Sequence, residues 1–206
     1  MKRTSVAFVL LLTFCGKPEG ATSSTPRPPS GLAKATFAGG CFWCMEPPFE
    51  RLPGVFAVTS GYTGGSGDHP TYEEVSSGFT GQAESVEVLY DPRRITYQQL
   101  LDVYWHNVDP LTPNAQFCDH GDQYRTAIFT HDAGQQRLAL ASKAAVEAQL
   151  RQRVVTQIAP ASTFWPAEEY HQDFYKKNPV RYKFYRYNCG RDERLAEVWG
   201  RSAAVH

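Results

Sequence analysis

Between residues 84 and 108 the hydrophobic period changes from two residues to about 3.6, and this switch narrows the available folds more than any other feature. Val86, Val88 and Tyr90 alternate with polar neighbours, as one face of a half-buried strand does, and Pro92 stops the run. Thr96 and Gln99 then stand at capping-box spacing. Beyond them Leu100, Leu101, Tyr104, Trp105 and Val108 share one helical face, which Asp109-Pro110 ends. A strand and a helix that each carry one apolar face bury those faces when helices pack on a sheet.

The same interleaving runs along the chain. Residues 34–38, 55–59, 125–130 and 154–158 are predicted strands. Asp132 and Gln135 open a longer helix expected to turn Leu138, Ala141, Ala145 and Ala148 inward, and Pro166 is expected to open a last helix with Glu168 and Glu169 in its first turn. Residues 42–52 have helical spacing but contain Pro47-Pro48, so the regular helix either begins near Met45 or is kinked. There is no internal repeat. The expected fold is an α+β domain, with helices packed on a mixed, largely antiparallel sheet.

The chain has 206 residues, 42% of them hydrophobic, enough for one domain with a substantial core. Its 21 basic and 21 acidic residues are mixed along the sequence. No basic stripe is present to hold nucleic acid, and no polybasic block to hold a lipid surface. At the N-terminus Lys2 and Arg3 precede a short apolar run, residues 6–14, of the length of an export signal rather than of a membrane span. Cys15 ends that run. The run resembles a bacterial lipoprotein signal except at Phe14, where a small residue is preferred, so lipid attachment at Cys15 stays open beside simple export. Residues 16–31 are rich in Pro, Ser, Thr and Gly and read as a disordered linker. The expected organisation is thus a signal segment 1–15, a linker 16–31 and a single domain 32–206. The expected location is the cell envelope or periplasm, rather than the cytoplasm.

Four further cysteines remain, Cys41, Cys44, Cys118 and Cys189; a disulfide framework usually belongs to a much smaller chain, and a domain this size does not need such staples, which favours reactive thiols. Cys41 and Cys44 enclose Phe42 and Trp43, a spacing that suits metal ligands, a redox dithiol, or a nucleophile beside a resolving thiol. Zinc would need a second pair, and Cys118 with His120 does not repeat the arrangement, so no metal is expected. Gly39-Gly40 allow a tight strand-to-helix passage, and a helix N-terminus lowers the pKa of a thiol placed there. The bland alternative is ordinary packed cysteines. Glu84, Tyr72, Asp119 and Tyr124 are candidate proton donors and hydrogen-bonding groups, though each alone also suits an edge, a turn or a half-buried core position.

Taken together, "GGCFWC", "SGYTGG", "HPTYEEV", "GQAESVEVLYDP", "DHGDQYRTAIF" and "FWPAEEYHQDFY" closely resemble the A-type peptide-methionine sulfoxide reductases, from about residue 34 to at least residue 175. The resemblance implies a two-layer, ferredoxin-like core. It implies that Cys41 attacks the sulfur of methionine S-sulfoxide, releasing methionine and leaving a sulfenic acid. Phe42 and Trp43 would enclose the S-methyl group, Glu84 would protonate the oxygen beside Tyr72 and Tyr124, and Asp119 would support the site. No bound cofactor is implied. The implied partners are methionine-sulfoxide-containing proteins, free methionine sulfoxide and an external thioredoxin-like dithiol, acting on a monomer.

The chain departs from the family pattern in five places. Cys44 stands where many members have glycine, and Gln82 where they have histidine. Cys118 adjoins the acid, Pro47-Pro48 disturbs the first helix, and the glycine-rich C-terminal tail is missing. The resolving candidates are Cys44, Cys189 and Cys118, with Cys44 and Cys189 expected to share the task. Two other functions fit less of the sequence. A generic CxxC dithiol–disulfide oxidoreductase leaves Glu84, Tyr72 and Tyr124 without a role, and a non-catalytic methionine-sulfoxide-binding module would not need Cys41.

Overall fold

The computed structural model describes Met1 and residues 30–200. Apart from Met1, the signal segment lies outside the described residues, as do Cys15 and all but the last two linker residues. Chain order is β1 (Ala33–Gly39), α1 (Phe42–Glu50), β2 (Val55–Thr63), α2 (Tyr72–Ser76), β3 (Ala83–Tyr90) and α3 (Tyr97–His106). There follow β4 (Ala115–Gln116), β5 (Asp119–His120), β6 (Thr126–Thr130), α4 (Ala133–Leu150), β7 (Gln157–Pro160) and β8 (Trp165–Pro166). Three helices end the chain: α5 (Phe174–Lys177), α6 (Pro179–Asn188) and α7 (Arg191–Trp199).

Six strands form one sheet in the order β7-β6-β1-β3-β2-β8, antiparallel throughout except where β7 lies parallel to β6. β4 and β5 make a separate ribbon. The α+β expectation with a largely antiparallel sheet therefore holds. The core is aromatic. Phe37 of β1 stacks on Phe49 of α1 and on Tyr104 of α3, with ring centroids 5.1 Å apart in both pairs. Tyr104 is fully buried, and its hydroxyl donates to the Ala38 carbonyl at 2.9 Å, satisfying the polar tip of an otherwise apolar side chain. Each such buried aromatic contributes about 1.5–3 kcal/mol from apolar burial. The predicted capping box is present, with Thr96 accepting from the Gln99 N–H and the Gln99 side chain accepting from the Thr96 N–H.

Three local expectations fail, and of the two readings of the first helix the start near Met45 is excluded. α1 begins at Phe42, directly after Cys41, and contains both prolines in its interior. The carbonyls four residues back, of Trp43 and Cys44, lose their helical donors. Burial of Phe42, Met45 and Phe49 holds this short helix in place nonetheless. α4 turns Gln135, Ala139, Ser142 and Val146 inward, and Leu138 is 41% exposed. Its partner selects that face, since Ser142 accepts from Trp105 Nε1 of α3 at 3.0 Å. The strand expected at 154–158 starts at Gln157, because the Val155 N–H is already committed to the Pro110 carbonyl. Pro166 opens no helix. It lies in the edge strand β8, where a missing N–H is tolerated.

Candidate active site

The site sits where the C-terminal end of β1 passes into α1. Gly40 makes the passage with φ +77°, and a Cβ there would come within 2.4 Å of Gln116 Cβ. A Cβ on Gly39 would meet Met45 and Val108 at 2.7 Å. Both glycines are needed to bring the backbone this close. Cys41 is the N-cap of α1 and is buried. Glu84, on β3 and 2% exposed, accepts a hydrogen bond from the Phe42 N–H at 3.1 Å. A free backbone donor of the first helical turn thus orients the carboxyl group beside Cys41.

Burial pushes the Glu84 carboxyl up to about 8, against the Phe42 N–H and with help from the charges of Asp119 and Cys44. The group is therefore mostly protonated at neutral pH. The N-cap position alone would predict an acidic Cys41 thiol, yet the opposite holds. Burial, then the hydrogen bond with Cys44 and the negative charges of Cys44 and Glu84, raises the Cys41 thiol well above its ordinary value. Cys44 moves the other way, to about 6, because it accepts from the Cys41 thiol and lies in the field of Arg191 and Arg186. The pair shares one proton, which stays on Cys41 and leaves the charge on Cys44.

Around the dithiol the predicted residues converge. Asp119 on β5 accepts from the Tyr185 hydroxyl, and Tyr185 also hydrogen-bonds Cys41. Burial raises the Tyr72 and Tyr124 hydroxyls, and the Glu84 charge raises both further. Phe42 is buried against His171 and Tyr62, while Trp43 stacks on Phe174 at 3.7 Å and donates from Nε1 to His171 Nδ1 at 3.0 Å. The aromatic pair is therefore held rigidly. Glu168 ties the wall to α2, accepting from the Tyr72 N–H at 2.8 Å and from the Tyr62 hydroxyl at 2.9 Å.

The remaining cysteines are bonded to each other. Cys118 and Cys189 form a disulfide with Cα atoms 4.8 Å apart, while Cys41 and Cys44 are free. Cys118 is exposed and Cys189 half-buried, so this outer pair is open to solvent where the inner pair is not. Tyr185, Tyr62, His171, Glu168 and Arg191 take part in the site without having been singled out in the sequence. Tyr185 had a usable signal: it precedes Cys189 by four residues and so shares its helical face.

Residues 33–203 match the family model "Peptide methionine sulfoxide reductase". The chain is 51% identical over 170 residues, 82% of its own length and 96% of the relative's, to "Peptide methionine sulfoxide reductase MsrA" of Listeria innocua. Among solved structures it resembles reduced Mxr1 of Saccharomyces cerevisiae, with 30% identity and a TM-score of 0.71 over 77% of this chain and 92% of that one. It also resembles methionine sulfoxide reductase A of Corynebacterium diphtheriae, with 32% identity and a TM-score of 0.69 over 78% and 81% of the two chains.

Proposed function

The chain belongs to the peptide methionine sulfoxide reductase family, and on that premise we propose that Cys41 and Glu84 carry out the reduction of methionine S-sulfoxide to methionine. The supporting observation is a buried carboxylic acid, mostly protonated at neutral pH, fixed by the first N–H of the helix that Cys41 caps. Sulfoxide oxygen leaves only when protonated, and Glu84 is the group placed to protonate it. As Cys41 attacks the sulfur its proton passes to Cys44 along the hydrogen bond between them. The S–O bond breaks as the protonated oxygen leaves as water, giving a sulfonium bonded to the Cys41 sulfur. Water then attacks the Cys41 sulfur, the bond between the two sulfurs breaks, methionine departs with that electron pair, and Cys41 becomes a sulfenic acid. Phe42 and Trp43 form the apolar wall against the S-methyl group. Tyr72, Tyr124 and the Asp119–Tyr185 pair supply hydrogen bonds to the oxygen and to the sulfur.

Cys44 then attacks the sulfenic acid, releasing water and closing a Cys41–Cys44 disulfide. The exposed Cys118–Cys189 pair is the point of entry for an external thioredoxin-like dithiol, which reduces it so that exchange can regenerate the inner thiols. No bound cofactor takes part in this cycle. Repair of oxidised proteins as well as free methionine sulfoxide, export to the envelope with or without lipid at Cys15, and action as a monomer belong to the same reading.

The test is an assay with dithiothreitol on separated S and R epimers. The S epimer should be consumed, and Cys41→Ser should abolish consumption. Turnover surviving in Cys41→Ser would place the nucleophile elsewhere. Mass spectrometry of the mature N-terminus tests export: a diacylglyceryl-modified Cys15 marks a lipoprotein, a start downstream of Cys15 marks simple secretion, and an intact Met1 rejects both.

A further inference from the structure

Arg191 heads the fully buried side chains by size, at 1% exposure. Its Nη2 donates to the Asn107 carbonyl at 2.7 Å, to Met45 Sδ at 3.1 Å and to the Gly39 carbonyl at 3.5 Å, and all three acceptors are neutral. Its Nε has no acceptor among the described residues. The guanidinium lies over the Phe117 ring, 4.3 Å from the centroid. Two neighbouring arginines are paired, Arg194 with Asp109 and Arg186 with Asp192. Among the described residues no carboxylate pairs with Arg191. Burying a guanidinium on neutral acceptors alone is costly unless an anion lies close by.

The position of the cation identifies that anion. Gly39 and Met45 flank the turn that carries both sulfurs, one residue before Gly40-Cys41 and one after Cys44. We propose that Arg191 is the counter-cation of Cys44, a positioning residue that keeps the negative charge of the inner dithiol on the second sulfur. Cys44 can then take the proton of Cys41 during attack and afterwards close the disulfide. The inference rests on the preceding reading, in which Cys44 resolves the sulfenic acid. In that second step Cys44 passes the proton it took from Cys41 to the Glu84 carboxylate, and its thiolate attacks the Cys41 sulfur as the S–O bond breaks. The Cys44 sulfur is oxidised, the Cys41 sulfur is reduced, and the oxygen leaves as water with that same proton, returned by Glu84.

The other groups facing Cys44 leave Arg191 a distinct task. The Cys41 thiol donates to Cys44 from the start of α1, and Arg186 and Tyr182 face it from α6. Asp119 on β5 and Glu84 on β3 oppose its ionisation or are themselves raised by it. Arg186 is committed to Asp192, whereas Arg191 pairs with no carboxylate among the described residues and shares its field between Cys44 and Asp119. The outer disulfide also holds this cation in place. Phe117 immediately precedes Cys118, and Arg191 follows Cys189 by two residues, so the ring and the guanidinium that stack on each other flank the two bonded cysteines.

The test titrates Cys44 by its ultraviolet thiolate absorbance in full-length protein carrying Cys41→Ser, with the outer disulfide oxidised. The serine hydroxyl still donates to Cys44, and the reactive thiol is gone. Relative to Cys41→Ser alone, the midpoint should rise by about one pH unit or more on adding Arg191→Gln or Arg191→Met, and stay unmoved on adding Arg191→Lys. With Cys41 intact, a one-unit rise from about 6 lowers the thiolate fraction at pH 7 from about 90% to about 50%, so Arg191→Gln should close the inner disulfide about twofold more slowly at that pH. An unmoved midpoint in either neutral variant with native near-ultraviolet circular dichroism overturns the proposal. A folded lysine variant that titrates like the neutral ones overturns it as well. Methionine release by the unaltered enzyme is measured alongside. Its absence would defeat the reductase reading, whereas normal release with an unmoved midpoint would defeat only the role of Arg191.

Discussion

Replacing Glu84 by glutamine removes an acid while keeping a side chain of the same shape that can still accept from the Phe42 N–H. In the unaltered enzyme the reacting form needs an ionised Cys44 and a protonated Glu84, with midpoints of about 6 and about 8. At pH 7 each group is then about 90% in its required state, and at pH 5 or pH 9 one of them falls to about 10%. The rate of methionine release in a single turnover should therefore be bell-shaped, with an acid limb near 6 and an alkaline limb near 8. Glu84→Gln should lower the plateau by about 10²–10⁴-fold, the usual contribution of a general acid, and should abolish the alkaline limb while leaving the acid limb in place. Rapid quench with S-sulfoxide in excess, scoring methionine formed per enzyme, measures both effects. A plateau within threefold of the original, or an alkaline limb that persists in the variant, would show that another group protonates the oxygen.

Tyr185→Phe removes the phenol shared by Asp119 and Cys41, and should slow methionine release by about ten- to a hundredfold, the range for a lost hydrogen bond to a charged group, as read by the same quench experiment. Glu46, at 1% exposure and with Oε2 unpaired, is raised by burial to about 7. Between its ordinary 4.5 and about 7 the folded chain keeps a proton that the unfolded chain has lost, so this group lowers stability as pH rises through that window and costs a constant amount above it. Glu46→Gln should therefore match the unaltered protein near pH 4 and exceed it by about 3 kcal/mol near pH 8 in urea unfolding; a constant difference across pH would refute the assignment. Cys189→Ser opens a loop of sequence separation 71 and should cost about 4 kcal/mol of stability. It should also leave one rapid methionine release per enzyme but stop cycling with thioredoxin, as unfolding curves and steady-state rates would show.

The legible parts of this fold were those written in local patterns. Strand β3 and helix α3 follow from alternation and from the Thr96–Gln99 cap, and these depend on residues a few positions apart. The inward face of α4 was not legible, because Ala141, Ala145 and Ala148 make as plausible a stripe as the one chosen by Trp105 on another helix. Pro166 misled because proline serves equally at a helix start and in an edge strand, and only the pairing with β2 decides between them. At the site, the short motifs pointed to Cys41, Phe42, Trp43, Glu84, Tyr72, Asp119 and Tyr124, and the fold brings these together. The raised thiol of Cys41 was hidden, since burial and a neighbouring sulfur outweigh the helix terminus. So was Arg191, whose meaning comes from contacts with residues more than eighty positions earlier.

The order of synthesis gives the C-terminal helices a further consequence. The turn bearing Cys41 and Cys44 leaves the ribosome long before Tyr185, Cys189 and Arg191, so a nascent chain exposes both sulfurs while their phenol, their cation and the outer disulfide do not yet exist. Until α6 and α7 dock, neither Arg186 nor Arg191 acts on Cys44, and those helices do not yet cover the inner pair. The thiols of an unfinished or truncated chain are ordinary cysteines, open to any oxidant. Only the completed polypeptide has a protected and directed redox centre.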